Sequence, residues 1–575
     1  MKNILIGFFV LISANSFAQT NIISTNPLAE QILVGNYNPS NYAATTIINH
    51  PDSIIKGIEN EVNADSLKAY IIQLTTFKNR NTGADTNSLI TGIGAARKWV
   101  LNHFQQISAT NDNRLITSYL QFDQSICNIN QHKNIFAVLP GTDTANHQVI
   151  LIEGHIDSRC SSVCDTSCIA EGVEDNASGT ALVMELARVM SKYTFKNTIV
   201  FMATIGEEQG LYGANAFAQY AVNNNIPIEA VLNNDVIGGI ICGQTSSPPS
   251  CPGLNDIDST QVRLFSSGSF NSINKQLARY IKLQYKEELL PLVSVPMVLT
   301  IMSAEDRTGR GGDHIPFRQK GFAAMRFTSA NEHGDASNGP GYTDRQHTSD
   351  DILGIDTNND NEIDSFFVDF NYLARNAVVN GIAAAAIAVG PQPVTFSVNP
   401  LSGNVFEITI SSSINYPNYR VGVRSTTHDW DSVYTFNTAT DTITFPQSST
   451  YFLSVASVDS NTIESLFSNE VFVSATGVGS YVEPQKSFEL LQNIPNPFDE
   501  VTTISVKINQ PKNYQQALIV IRDLQGKIIK KLPIALTKEI NEVNYEHGYG
   551  KVGIYSYSLV IDGVEVDTKK MVFAN

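Results

Sequence analysis

The sequence predicts an α/β domain, a mainly parallel mixed sheet flanked by helices, followed by two small all-β sandwich modules. Three observations carry this. Up to about residue 390, continuous apolar runs alternate with amphipathic stretches at helical spacing, the pattern of strands covered on both faces. After Gly390 the composition shifts to Ser, Thr, Asn and alternating β-formers, which is a sandwich pattern. At 575 residues the chain also exceeds what one core organises, so several domains are expected.

Taken in order, residues 1–18 read as an export signal. Lys2 precedes the apolar run Ile4 to Ile12, and the small residues of SANSFAQ follow, with cleavage expected after Ala18. Residues 19–60 form an N-terminal extension or pro-segment. The α/β domain then spans 61–390. Helices are expected around LKAYIIQL and GAARKWVLNHF, and at GTALVMELARVMSKY and GANAFAQYAV. Strands are expected at NIFAVLPG, QVILIEGH, NTIVFMATIG, IEAVLNND and FAAMRFTS. The first sandwich covers 391–476, with FEITISSS, YRVGVRS and YFLSVASVDS. A polar linker at 477–487 leads to the second at 488–575, with TTISVKI, ALIVIRDLQG and IYSYSLVIDG.

The net charge of −17 repels nucleic acid and anionic lipid, so neither is an expected partner. Beyond the leader no run approaches the roughly 18 apolar residues that span a bilayer, the nearest being GIAAAAIAVG near position 385. Six cysteines, an even number, suit an oxidising compartment. Cys242 and Cys251 bracket a short loop and are paired first. Cys160, Cys164 and Cys168 crowd one loop, implying one bridge within it and one back to Cys127. A zinc knuckle is disfavoured, because no matching fourth ligand lies nearby.

The chemistry concentrates where apolar runs end. In open α/β sheets, ligands bind beyond the carboxyl ends of strands. QVILIEGHIDS delivers His155 and Asp157, and EDNASG delivers Asp175. NTIVFMATIGEEQGLYG delivers Glu207 and Glu208, IEAVLNNDVIG delivers Asp235, and GYTDRQHTSDD carries His347. Singly, each acid is an ordinary turn or cap, and Asp175 before a helix is an acceptable N-cap. As a set, two imidazoles and three carboxylates suffice for two divalent ions sharing one carboxylate, with zinc the usual occupant. One glutamate remains to move protons. Asp157, two residues past His155, is placed to orient that ring.

GHIDS, EDNASG, GEEQGLYG, NNDVIG, GGDHIPF and HTSDD, in this order, resemble the co-catalytic zinc exopeptidases of metallopeptidase family twenty-eight, over residues 60 to 390. The resemblance implies an aminopeptidase acting on peptide or protein substrates with two Zn2+ per catalytic domain. His155 and Asp235 would bind one zinc, Glu208 and His347 the other, Asp175 would bridge, and Glu207 would be the general base. Asp313 and His314, in DHIPF, would stand behind the ligands, face the substrate, or cap a helix. Two departures are visible. The segment SRCSSVCDTSCIAEGVE is cysteine-rich where a plainer loop is expected, and RQHTSDD lacks the Tyr that is common before the histidine. Glutaminyl cyclases share the fold and DHIPF, so cyclisation of N-terminal glutamine is the nearest rival; a non-catalytic surface adhesin is the alternative from another class.

YFLSVASVDSNTIESLFSNEV is similar to the last strands of a fibronectin type III-like domain, with a spacer as its simplest role. NIPNPF, RDLQGK, GIYSYSLVIDG and the closing KKMV resemble a type IX secretion sorting domain. This implies the type IX machinery as a partner, and release or surface attachment beyond the outer membrane. DTNNDNEID, Asp356 to Asp364, has alternating oxygen ligands but lacks the Gly and the bidentate Glu of a calcium loop; a solvated acidic turn is expected.

Overall fold

The computed structural model describes residues 19–574 apart from 242–255, 308–309, 331–344, 447, 476–486, 511–513, 525 and 548–551. The leader, most of the linker and the expected Cys242 to Cys251 bridge therefore lie outside the described residues.

Nine strands form the main sheet: β1 (Thr20–Ser24), β2 (Ile116–Ile126), β3 (Ile129–Leu139), β4 (Val149–His155), β5 (Thr198–Thr204), β6 (Ile228–Asn234), β7 (Gln261–Phe265), β8 (Val298–Ile301) and β9 (Ala324–Ser329). Their order is β1-β2-β3-β5-β4-β6-β9-β7-β8. The four strands β5, β4, β6 and β9 run parallel. The β1, β2 and β3 side and the β7–β9 step are antiparallel. The sequence reading is thus met in the centre, where apolar runs are continuous: every residue of β4 and β5 is buried. On the antiparallel edge, β2 alternates between buried and half-buried positions.

Helices at Ala64–Thr75, Gly92–Thr110, Ser178–Met190, Tyr212–Asn223 and Phe370–Val389 cover the sheet. The last is long and apolar enough, by length and composition, to cross a bilayer, a longer reach than its Ala-rich run suggests. Its surface is spent on the protein core, in which 89% of its apolar window is buried. Residues 19–60 add β1 and helices Pro27–Leu33 and Pro51–Glu61, and Ile32, Leu33, Ile54 and Ile58 enter the same hydrophobic core as the sheet.

Beyond residue 390 stand two pairs of antiparallel sheets, each of three plus four strands, with cores centred on Ile408, Val421 and Leu453 and on Leu490, Ile519 and Tyr557. The first is no loose spacer. Phe467 and Ala456 join the core of the α/β domain, and Arg424 and Glu470 meet Arg279 of helix Ile273–Gln284 in a fully buried ion cluster. The C-terminal sheets touch the α/β domain through Asp499, which accepts from Ser303 Oγ at 3.1 Å. Glu542 also accepts there, from Ser269 Oγ and the Phe270 amide at 3.1 Å each.

Candidate metal centre

Strand register gathers the predicted residues. His155, last in β4, lies beside Thr204, last in β5, and β6 ends one residue before Asp235. The loops that follow therefore emerge along one edge. Asp175 arrives from the segment before helix Ser178–Met190. That helix approaches β6 so closely that a Cβ on Gly179 would sit 2.1 Å from the Asn234 carbonyl oxygen, which accounts for the glycine of NASG.

At this edge the Asp175 carboxylate spans two imidazoles. Its Oδ1 is 3.1 Å from Nε2 of His155, and its Oδ2 is 3.1 Å from Nε2 of His347. Asp235 Oδ1 lies 3.4 Å from His155 Nε2, and Glu208 Oε2 lies 3.1 Å from His347 Nε2. Two groups of converging ligand atoms result, each within 4.8 Å: His155, Glu207 and Asp235, and Asp175, Glu208 and His347. Glu207 thus stands beside His155 and Asp235 in the first group.

The electrostatics fit a cation. Burial alone would raise Asp175, but the facing imidazoles of His155 and His347 hold it well below the usual carboxylate range. Burial would lower the imidazoles, yet the surrounding carboxylates push His155 well up and His347 to about 9. Groups that pull a proton this strongly attract a divalent ion for the same reason. His155 Nε2 and Glu208 Oε1 are buried with no hydrogen-bond partner, as expected of atoms reserved for a metal. The donor set, two imidazoles and carboxylates with one placed to bridge, suits zinc. Burial raises Glu207 well above the carboxylate range.

Asp157 does more than orient a ring. Its backbone carbonyl oxygen faces His155 Nδ1 at 3.0 Å. Its carboxylate accepts from the amides of Glu207 and Glu208 at 3.4 and 3.3 Å and from Thr82 Oγ1 at 3.2 Å, fixing the glutamate turn against β4. Asp313 is fully buried, accepts from Thr204 Oγ1 and is pushed up to about 7, chiefly by burial. His314 is buried, its Nε2 3.0 Å from the Glu305 carbonyl oxygen. Neither lines the cavity, and Asp313 makes no side-chain cap to its helix.

Sequence reasoning passed over four residues. Asp351, the last acid of HTSDD, accepts from the Glu174 and Asp175 amides at 2.9 and 3.0 Å. Arg326 lies 3.3 Å from Asp235 Oδ2 and 3.0 Å from both oxygens of Asp306. An arginine inside the apolar run FAAMRFTS was the signal, because a buried cation requires a partner. Arg159 and Arg310 reach the cavity from loops and carried no comparable mark. The cysteine-rich loop is stapled by Cys160–Cys168 and tied back by Cys127–Cys164, one bridge within and one reaching back. The acidic turn at Asp356 is exposed and closed by its own side chains on backbone amides.

A cavity of about 410 Å³ opens over Asp175, Glu207, Glu208, Asp235 and His347. A profile of Peptidase family M28 matches residues 134–246. A probable zinc metalloprotease of Pyrenophora teres f. teres is 30% identical over 407 residues, covering 68% of this chain and 80% of the relative. One of Leptosphaeria maculans is 31% identical, covering 66% and 87%. Among solved structures, Legionella pneumophila LapA aminopeptidase is similar at 19% identity and a TM-score of 0.43, over 60% of this chain and 76% of that one. Porphyromonas gingivalis glutaminyl cyclase is similar at 16% and 0.36, over 56% and 97%. On the shared sequence, matched over most of those fungal relatives' length, this chain belongs to Peptidase family M28.

Proposed function

We propose that the chain is a two-zinc metallo-exopeptidase, an aminopeptidase that removes N-terminal residues from peptides. The observation that carries it is the Asp175 carboxylate, with one oxygen turned to each of two imidazoles and a further carboxylate beside each. His155, Asp235 and Asp175 would hold one ion, and Glu208, His347 and Asp175 the other. Such a pair, when bound, polarises the scissile carbonyl and supplies hydroxide at neutral pH.

The chain's own residues do the rest. Glu207 takes the proton from the attacking water and returns it to the leaving amine; burial has already raised its proton affinity. Asp157 holds the Glu207–Glu208 turn and the His155 ring in register, and Asp351 fixes the backbone under Asp175. Export as a secreted or cell-surface protein is supported by the leader-like N-terminus, by two disulfides, and by the resemblance of the C-terminal segment to type IX sorting domains. The seven strands from Thr395 to Ser474 fit a fibronectin type III-like module.

The test is release of amino acid from aminoacyl-p-nitroanilides and from a Gln-initiated peptide, with and without chelator, in wild type and Glu207→Gln. Release that is lost with chelator and with Glu207→Gln is expected. Cyclised glutamine without release would replace the aminopeptidase by a cyclase, and neither product would leave a binding protein.

A further inference from the structure

The cysteine-rich loop stands where a plainer one is expected and has no role in the chemistry described so far, yet it forms part of the cavity wall. Among the described lining residues only Val163, from this loop, and Leu211 have apolar side chains. The arginines around them are engaged: Arg159 with Glu208 at 2.7 Å, Arg310 with His347 Nδ1 at 3.0 Å, and Arg307 and Arg326 with Asp306. Leu211 belongs to the glutamate turn, its amide donating to the Glu207 carbonyl at 2.9 Å. Val163 is 42% exposed, so its side chain gains little from the protein itself. Its backbone is nevertheless gripped from several directions. The Val163 carbonyl accepts from Asn81 Nδ2 at 2.9 Å and from Gln209 Nε2 at 3.2 Å. The next residue, Cys164, is bridged to Cys127 in the turn between β2 and β3. Asn79 Nδ2 holds the returning limb through the carbonyls of Asp165 and Cys168 at 3.2 and 2.8 Å. Ordering a surface loop opposes folding, and a valine left this open returns little burial to offset it. A ligand packed against the valine supplies what the fold does not.

We infer that Val163 is a specificity-determining residue: presented at the cavity by the Cys127–Cys164 bridge, it packs with Leu211 against the side chain of the substrate's N-terminal residue and selects aliphatic residues over smaller ones. This rests on the exopeptidase reading above. Gln209 follows Glu208 in the chain and donates to the Val163 carbonyl, so the valine stands within one glutamine side chain of the backbone that carries a metal ligand. The carboxylates and imidazoles of the cavity are directed at the ions they would hold, and the arginines at the partners above. The apolar pair is the part of the wall that tells one uncharged side chain from another. Such a wall discriminates by size, each methylene it covers favouring the larger substrate about 10-fold or more, and a wall open on one side gives the lower end of that range.

The experiment uses the zinc-loaded full chain and the p-nitroanilides of alanine, leucine and lysine. In wild type, kcat/KM for leucine should exceed that for alanine about tenfold or more. Val163→Ala should lower the leucine-to-alanine ratio about 3- to 10-fold, because only the longer side chain reaches the methyls that are lost. Val163→Asp should go further and raise the lysine-to-leucine ratio about tenfold or more, a change of preference that a merely structural role would not produce. The double variant Cys127→Ser with Cys164→Ser, which frees the loop while Val163 stays in place, should lower the leucine-to-alanine ratio as Val163→Ala does. Zinc content, measured on every variant, should match wild type, which separates loss of the wall from loss of the metal. Three results overturn the inference while leaving the exopeptidase intact: alanine cleaved as well as leucine by wild type, a leucine-to-alanine ratio that Val163→Ala does not change, or a ratio that the double cysteine variant leaves at the wild-type value. If nothing is cleaved, the exopeptidase reading fails and calorimetry with L-leucine amide and L-alanine amide decides the subsite: tighter binding of the leucine amide that is lost in Val163→Ala upholds it, and equal or absent binding ends it.

Discussion

Two clusters of buried charge can be set side by side. At the junction with the first sandwich, Glu470 is surrounded by donors: Arg279 Nη1 at 3.0 Å, Arg424 Nε and Nη2 at 2.6 and 2.8 Å, and the Asn271 amide at 2.8 Å. The arginines also donate to the carbonyls of His428, Thr427 and Ser269. At the sheet edge, Asp175, Asp235 and Glu208 crowd two imidazoles, and His155 Nε2 and Glu208 Oε1 find no hydrogen-bond partner. Both clusters are buried and charged. The difference lies in the acids: both oxygens of Glu470 are met by arginine donors, although Arg279 Nη2 finds no partner, whereas Glu208 Oε1 is met by no donor. An acid matched by the protein's own cations is structural, and acids that crowd imidazoles without such a match are arranged for a cation.

That contrast can be broken by mutation at either end. The largest effect belongs to Glu207→Gln, which should lower kcat about 10²- to 10⁴-fold in steady-state assays while leaving folding and zinc content unchanged. Next, Glu470→Gln strands two buried guanidiniums and should cost about 3 to 5 kcal/mol of stability, read by denaturant unfolding, with zinc content unaffected. If Glu470→Gln instead strips zinc without destabilising the fold, the division into structural and functional charge is wrong. Asp157→Asn, behind both His155 and the glutamate turn, should weaken zinc affinity or activity about 10- to 100-fold, measured by competition with a chelating dye.

The smallest effect is one of pH. Lys275 is buried and pushed down to about 7, by burial first and then by Arg279, with its Nζ donating to the Met302 and Ser303 carbonyls. Since the unfolded lysine holds its proton up to its ordinary pKa near 10.4, the unfolded chain binds more protons between about pH 7 and that value. Stability from this group therefore rises with pH across the window and is lowest below it. The rise from pH 7 to 9 should be smaller in Lys275→Met than in wild type, as read from denaturant midpoints at the two values.

Much of the α/β domain was legible because its signals are local. Apolar runs such as VILI and TIVFMAT mark parallel strands, and acids and histidines at their ends mark the site. What escaped depends on distance along the chain. Glu470 and Arg279 meet across 191 residues, and neither carries a mark in its own segment. Arg159 and His347 meet across 188. Residues 19–60 were read only as an extension or pro-segment, because the apolar positions of β1 and the helix Pro51–Glu61 are few and become a face only against the sheet. The cysteine loop was legible as far as one inner bridge and one outer; which cysteine played which part required the fold.

The most direct test of the account is the zinc content of the purified full chain after dialysis, for wild type and Asp175→Asn. The account predicts two zinc ions per chain in wild type and one or fewer in Asp175→Asn, with both proteins folded. Wild type that retains no zinc, or Asp175→Asn that retains two, would contradict it.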